Sequence, residues 1–255
     1  MKLNLFWHRK GSNRMKSFFV TGTDTAVGKT VVTAALISLA RARGIDAVPM
    51  KPVQSGCESR NGDLYAPDLI FILDINGIEA SPEESHLMCP CTLELPCSPH
   101  LAAERAGREI ETGPIVESYH RLAERHEMII VEGAGGLLVP VNAKIMMIDL
   151  IKMLNLPVIL VARPGLGTLN HTLLSLRELR RQNIAVTGVA FCETEPAAGD
   201  YIEEDNKKTV ARLGNVTILG TLPHIADMDS LRHASARFRQ IAEENFPNVK
   251  ILWGE

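Results

Sequence analysis

The sequence SFFVTGTDTAVGKT (residues 17–30) decides the fold, because a short apolar strand runs through a turn rich in threonine into Gly28-Lys29-Thr30 at a helix start. Such a turn surrounds a phosphate chain with backbone N–H groups and the positive end of a helix. Lys29 would reach the outer phosphates of a nucleotide, and the Thr30 hydroxyl would bind Mg²⁺. The strict phosphate-loop pattern has glycine where Thr23 stands, so a chance Gly-Lys-Thr is the alternative. The flanking strand and apolar helix favour phosphate binding.

Short apolar runs alternate with longer helical patterns along the rest of the chain. Strands are predicted at 17–21, 47–50, 128–131, 158–161, 186–191, 216–219 and 249–252. Helices are predicted near 29–43, 99–106, 115–125, 147–154, 169–182, 203–213 and 230–244. The runs MIIV (128–131) and VILV (158–161) are apolar at consecutive positions, as in strands buried on both faces. The order predicts an α/β protein of the P-loop NTPase type: a three-layer, doubly wound, mostly parallel sheet in one domain over 15–255.

Composition limits the class of partner. The 255 residues include 27 Lys+Arg and 30 Asp+Glu, and a net charge of -3 gives no general attraction to nucleic acid or anionic lipid. No apolar run approaches the roughly 20 residues that cross a bilayer. Five cysteines without framework spacing indicate reduced thiols. We therefore expect a cytoplasmic protein that binds neither nucleic acid nor a membrane. Residues 1–14 are expected to form a disordered extension that precedes the domain.

Polar residues follow several strands, and ligands of parallel sheets bind at the carboxyl ends of the strands. Lys51 follows the second strand and could neutralise charge in phosphoryl transfer, although a solvated surface lysine is the alternative. Glu132 follows 128–131, where a carboxylate is placed for Mg²⁺, and the glycines after it allow a ligand close to the backbone.

Two further positions have both a structural and a functional interpretation. Asp68 is predicted in the first turn of a helix, where an acid usually serves as a cap or dipole partner. Thr168 follows a glycine-rich segment and precedes a long helix, which makes a second anion-binding helix start suited to a carboxylate. Capping of that helix by Thr168 is compatible with this second role.

Five motifs together resemble the dethiobiotin synthetase family. They are GTDTAVGKT (22–30), KPVQSG (51–56), PCSPH (96–100), VEGAGG (131–136) and LGTLNHT (166–172), and they occur in the order of that family. The resemblance extends from about residue 16 to the end of the chain. It implies a homodimeric, Mg²⁺- and ATP-dependent cyclo-ligase of biotin biosynthesis that forms C–N bonds. In that family, 7,8-diaminopelargonate takes up CO₂ as a carbamate, which the γ-phosphate activates, and the second amine closes the ureido ring and releases phosphate.

The resemblance also implies roles for individual residues. The catalytic residues are Lys29 and Lys51. The nucleotide-binding residues are Ala26, Val27, Gly28, Lys29, Thr30, Asp68, Glu132, Gly133, Ala134, Gly135, Cys192, Glu193, Leu222, Pro223 and His224. The substrate-binding residues are Thr25, Lys51, Ser55, Gly167, Thr168, Leu169 and Asn170, of which the last four come from the partner subunit. The magnesium ligands are Thr30, Asp68 and Glu132.

Two positions depart from the family pattern. Ala26 stands where the family commonly has Glu, so the charge of that side chain is missing. Cys192 stands where an Asn usually faces adenine, and a thiol cannot reproduce the paired donor and acceptor of an amide. We therefore expect relaxed base selectivity, with other nucleoside triphosphates able to replace ATP.

Three other classes of protein share parts of the pattern. Partition-type ATPase switches carry a Lys-Gly-Gly run in the phosphate loop, whereas this loop has Thr-Asp-Thr at 23–25. Amidotransferase relatives that make cobyrinic diamides need a glutaminase domain, for which 255 residues leave no space. A non-catalytic module would not need to keep the charged residues at the strand ends. The synthetase interpretation therefore leads.

Overall fold

The computed structural model describes residues 17–60, 63–196, 201–232 and 234–254. The extension predicted at 1–14 lies outside these ranges. The strands are β1 (Phe18–Gly22), β2 (Ala47–Met50), β3 (Val53–Ser55), β4 (Glu58–Arg60), β5 (Asp63–Tyr65), β6 (Cys91–Leu93), β7 (Met128–Gly136), β8 (Val158–Ala162), β9 (Val186–Cys192) and β10 (Ile218–Leu222). The helices are α1 (Lys29–Arg41), α2 (Pro67–Asn76), α3 (Pro82–Met88), α4 (Pro99–Arg105), α5 (Thr112–Arg125), α6 (Met147–Leu154), α7 (Thr168–Arg181), α8 (Tyr201–Gly214), α9 (Met228–Leu231) and α10 (Ser235–Asn245), followed by the 3₁₀ helix Val249–Trp253. None of the helices in the described ranges has the length and apolar character that crossing a membrane requires.

Six parallel strands form the central sheet in the order β10-β9-β8-β1-β7-β2. Successive residues of β1 point to opposite faces, so Phe19 packs with α5 and α6 while Phe18 and Val20 pack with α1, α2 and α10. Helices α7 and α8 cover the part of the sheet around β8 and β9. Burial on both faces explains the continuous apolar runs in these strands, and the predicted three-layer α/β class is confirmed.

The predicted strand at 249–252 is wrong, because this segment is the 3₁₀ helix Val249–Trp253. Val249 and Leu252, which are three residues apart, are buried, whereas Ile251 is 46% exposed. A strand would have placed Val249 and Ile251 on one face, but the burial follows the three-residue period of a 3₁₀ turn.

Other predicted boundaries are also wrong, among them the end of the strand predicted at 128–131, because β7 continues through Glu132 to Gly136. The helix predicted at 230–244 is divided into α9 and α10, since Ala234 between them leaves the helical region with φ −124° and ψ 52°. The strand predicted at 216–219 begins two residues later, as β10. Helix α8 continues to Gly214, and Asn215 turns the chain with a positive φ of 41° before the strand can start.

Sequence patterns missed the short elements that follow Lys51. Strands β3 and β6 pair in parallel, β4 and β5 pair antiparallel, and each of these strands has three residues, too few for a period to be visible. Helix α3 was also missed, and it matters for the site. The carbonyl of Met88 at its end accepts the backbone N–H of Lys51 at 2.6 Å, which fixes the chain just beyond β2.

Gly220 in β10 tests how tightly α10 packs on the edge of the sheet. A Cβ at this position would lie 2.8 Å from Cα of Phe246 and closer still to the backbone oxygen of Asn245. We expect Gly220→Ala to lower the free energy of unfolding by about 1–3 kcal/mol, because neither backbone atom can move away freely. Gly113→Ala in α5 is the matched control, since a Cβ there meets nothing within 4 Å. Urea denaturation measures both variants, and equal stabilities would contradict this packing.

Candidate active site

The phosphate loop connects β1 to α1 and is shaped by glycine at its end. Gly28 precedes the first residue of α1 with a left-handed backbone (φ 90°, ψ 19°), and a Cβ there would collide with the side chain of Cys192. Lys29 is buried, and its Nζ donates to the backbone oxygen of Asp24 at 2.8 Å. Burial lowers the pKa of Lys29 to about 8 against the opposing attraction of Glu132. The ammonium group therefore lies across the loop, poorly solvated, where phosphate oxygens can become its partners.

Lys51 lies in a buried ion-pair network. Its Nζ is 2.6 Å from Oδ2 of Asp68 and 2.6 Å from Oε1 of Glu132. The same oxygen of Glu132 accepts a hydrogen bond of 2.9 Å from the Thr30 hydroxyl. Burial disfavours the charged form of Lys51, but the two carboxylates outweigh it and raise its pKa above the ordinary value. Lys51 is thus a permanent cation, and the alternative of a solvated surface lysine is wrong, because the residue is 4% exposed.

The same carboxylates fit a magnesium ion. Oε2 of Glu132 is buried and accepts no hydrogen bond from any described residue, so it remains free for a ligand. Mg²⁺ prefers oxygen ligands, and Thr30, Asp68 and Glu132 supply a hydroxyl and two carboxylates close to the phosphate loop. No three His, Cys, Asp or Glu side chains of the described ranges gather into a metal-binding group. Any ion at this site would therefore need water and phosphate oxygens to complete its coordination.

A cavity of about 690 Å³ brings together most of the candidate residues that the sequence predicts. Those that line it are Thr25, Ala26, Gly28, Lys29, Thr30, Lys51, Ser55, Asp68, Glu132, Ala134, Gly135, Cys192, Glu193, Pro223 and His224. Of the residues predicted to bind the nucleotide, all of which belong to the described chain, three do not line this cavity: Val27, Gly133 and Leu222. Val27 and Leu222 are core residues, and a Cβ at Gly133 would meet the Phe19 ring, so these positions support the cavity wall from behind.

Cys192 and Glu193 are adjacent residues that both line the cavity. Cys192 ends β9 and is 4% exposed, and burial raises the pKa of its thiol to about 12, which keeps it neutral. The next residue, Glu193, accepts a backbone hydrogen bond from His224 at 3.4 Å. Its own N–H donates to the carbonyl of Leu222 at 2.9 Å. The side chains here therefore offer a neutral thiol and an acceptor that already has one partner.

Gly167, Thr168, Leu169 and Asn170 lie at the start of α7 and do not line the 690 Å³ cavity of the described chain. Thr168 instead lines a neighbouring cavity of about 310 Å³. Asn206 of α8 holds the loop before this helix, since its buried Nδ2 donates to the carbonyls of Pro164 (2.9 Å) and Gly165 (3.3 Å). Sequence reasoning missed Asn206, because it stands in a charged helical stretch that is typical of solvent-exposed surface.

The glycine turn around Lys29, the parallel sheet and the carboxylate of Glu132 in β7 define a nucleotide-binding protein of the P-loop class. A family model described as an AAA domain matches residues 16–232. Solved structures agree in fold. The MinC:MinD cell division complex of Aquifex aeolicus has a TM-score of 0.61 at 10% identity, covering 94% of this chain and 96% of that one. A ParA family ATPase from Chlorobium tepidum TLS has a TM-score of 0.54 at 13% identity, covering 94% and 98%. At these identities the likeness shows the fold alone.

Sequence relatives narrow the class to one family. The ATP-dependent dethiobiotin synthetase BioD of Anaeromyxobacter sp. (strain Fw109-5) is 41% identical over 218 residues, 84% of this chain and 92% of the relative. The protein of the same name from Thermodesulfovibrio yellowstonii is 36% identical over 219 residues, 83% of this chain and 90% of the relative. The chain belongs to the ATP-dependent dethiobiotin synthetase family, and the resemblance drawn from the motifs is confirmed.

Removal of the Lys51 charge should destabilise the protein. Lys51→Met leaves the carboxylates of Asp68 and Glu132 close together without their shared cation, and we expect a loss of about 3–5 kcal/mol in the free energy of unfolding. Lys152→Met is the control, because Lys152 is exposed on α6 and a surface change should stay within about 0.5 kcal/mol. Denaturant titration at pH 7 without nucleotide measures both. A Lys51→Met protein as stable as the control would refute the ion-pair network.

Proposed function

We propose that the protein catalyses the ATP- and CO₂-dependent closure of the ureido ring of dethiobiotin from 7,8-diaminopelargonate. The observation that carries this proposal is the buried Lys51, paired with Asp68 and Glu132 beside Lys29 at the phosphate loop. These residues can position and neutralise phosphates, but none is an activated nucleophile. The reaction suits such a site, because its nucleophiles belong to the substrate.

The proposed reaction has three steps, each of which needs positioned charge. An amine of the substrate adds to CO₂, loses a proton and becomes a carbamate. A carbamate oxygen then attacks the γ-phosphorus of ATP, the bond to the bridging oxygen breaks, and ADP leaves a mixed carbamic–phosphoric anhydride. The second amine attacks the carbamate carbon, expels phosphate and loses its proton as the ring closes. Lys51 donates hydrogen bonds to the carbamate and γ-phosphate oxygens, while Lys29 holds the outer phosphates in line.

Magnesium belongs to the same proposal. When bound, the ion supplies positive charge against the phosphates, and Thr30, Asp68 and Glu132 would hold it. The free Oε2 of Glu132 supports this assignment.

We also propose that the enzyme acts as a homodimer in which Gly167 to Asn170 of the partner bind the substrate carboxylate. Two observations support this arrangement. These residues do not line the 690 Å³ cavity of their own described chain, and Leu166 beside them is 94% exposed. A cytoplasmic location and a single synthetase domain over 15–255 complete the proposal. The free thiols of Cys57, Cys89, Cys91, Cys97 and Cys192 suit a reducing compartment.

Incorporation of labelled CO₂ tests the reaction. The protein is incubated with 7,8-diaminopelargonate, Mg²⁺ and each of ATP, CTP, GTP and UTP, and acid-stable label is counted. We expect label only when diamine and nucleotide are both present, with comparable turnover for ATP, CTP and GTP, because the Cys192 thiol cannot read a base edge as an amide does. Strict dependence on ATP would reject the relaxed base selectivity. No label with any nucleotide, from folded protein that binds ATP, would favour a nucleotide switch instead.

Substitutions of the two lysines should impair different properties of the protein. Lys51→Gln should reduce label incorporation by at least about 100-fold, because the transferring phosphoryl group loses a cation, while ATP affinity stays within a few-fold. Lys29→Gln should lower both label incorporation and ATP affinity, because Lys29 belongs to the phosphate loop. Label incorporation and calorimetric titration with a non-hydrolysable ATP analogue measure the two effects, and Lys152→Gln is the control. Unchanged activity in either active-site variant would overturn the role assigned to that lysine.

A further inference from the structure

Gln54 has a buried amide in the main cavity that no role assigned above uses. It lies in β3, next to Ser55 and three residues after Lys51, and all three residues line the 690 Å³ cavity. Its backbone carbonyl accepts a hydrogen bond from the Cys57 thiol at 3.3 Å. The side chain is different, because the residue is 4% exposed and Oε1 is buried without a hydrogen bond from any described residue.

An unpartnered buried amide oxygen destabilises a folded protein, since it gives up its hydrogen bonds to water and gains none in return. Of the residues that line this cavity, two carry such a buried acceptor within the described chain: Gln54 with Oε1 and Glu132 with Oε2. The free oxygen of Glu132 is accounted for by the proposed metal site. The free oxygen of Gln54 is not, and a buried amide oxygen without a partner is a poor choice for packing alone.

We propose that Gln54 is a substrate-binding residue whose side-chain carbonyl accepts a hydrogen bond from an amine of the diamine. This inference rests on the proposed function. Lys51 has only donors, and it serves oxygens, so an amine N–H bound beside it needs an acceptor from elsewhere. Oε1 of Glu132 is already engaged by Thr30 and Lys51. Gln54 lines the same cavity, and its Oε1 has no hydrogen-bond partner among the described residues, so this oxygen is available to the amine.

The neutrality of this acceptor matters for the chemistry. The attacking amine must be the free base, because an ammonium has no lone pair. A carboxylate at position 54 would also accept the hydrogen bond, but its charge would favour the ammonium form. Glutamine therefore holds the nitrogen without promoting its protonation.

Two substitutions test the assignment. Gln54→Met keeps the length of the side chain and removes the acceptor, so we expect the KM for diaminopelargonate to rise about 10-fold while the KM for ATP changes less than about two-fold. The melting temperature should be unchanged or higher, because an unsatisfied polar group has been removed. Gln54→Glu should displace the pH profile of kcat towards higher pH. Gln240→Met, on the exposed surface of α10, should leave both KM values and the profile as in the wild type.

Calorimetric titration of the diamine into each variant, with a non-hydrolysable ATP analogue present, measures binding without turnover. Affinity lower by about 10-fold in Gln54→Met supports the inference. Unchanged diamine affinity in Gln54→Met, or a lowered melting temperature with both KM values raised, would overturn it. In either case label incorporation by the wild-type protein still supports the ring-closing function. A wild-type protein that binds ATP but neither binds nor converts the diamine overturns the function itself, and the assignment of Gln54 with it.

Discussion

The ammonium of Lys51, held at 2.6 Å from two carboxylates, is the interaction on which the rest of the site depends. A charge buried to this degree is tolerated only with partners in good geometry, so the elements that carry the partners must converge. Lys51 follows β2, Asp68 stands in the first turn of α2, and Glu132 lies within β7. The pairing of β2 with β7 places Met50 beside Val131, so the next residues, Lys51 and Glu132, lie side by side at the carboxyl end of β2. The order of the strands in the sheet therefore determines the geometry of the site.

Strong, repeated patterns made the central part of the fold predictable. The strands of the six-stranded sheet are buried on both faces, and their apolar runs are visible in the sequence, as is the position of Glu132 directly after one of them. The C-terminal segment shows the limit of this reasoning. Val249 and Leu252 belong to a short apolar run that predicts a strand, whereas their three-residue spacing belongs to a 3₁₀ turn. Asp68 was placed correctly at a helix start, but only the family resemblance suggested that it binds metal.

Burial of single polar residues could not be predicted, because burial depends on elements distant in sequence. Asn206 stands between Asp205 and Lys207, a setting typical of solvated helices, yet it is 6% exposed and bonds a loop 41 residues away. Gln54 lies inside the KPVQSG motif, which marked its neighbourhood but not its unpartnered oxygen. The motif gave a usable signal in this case. Gln54 stands between Lys51 and Ser55, two assigned positions of this motif, and it lines the same cavity as they do.

Charge balance limits how this site can accommodate the reactants of a synthetic reaction. At pH 7 the ammonium groups of Lys29, with a pKa of about 8, and Lys51 face the carboxylates of Asp68 and Glu132, so the charges of these four groups cancel. A triphosphate and a carbamate add several negative charges to a site that has no cation to spare. A divalent ion would restore the balance, and its ligands would have to be the carboxylates that now hold Lys51. The free Oε2 of Glu132 could bind such an ion while Oε1 keeps its hydrogen bonds from Thr30 and Lys51, so one carboxylate would serve both the ion and the lysine.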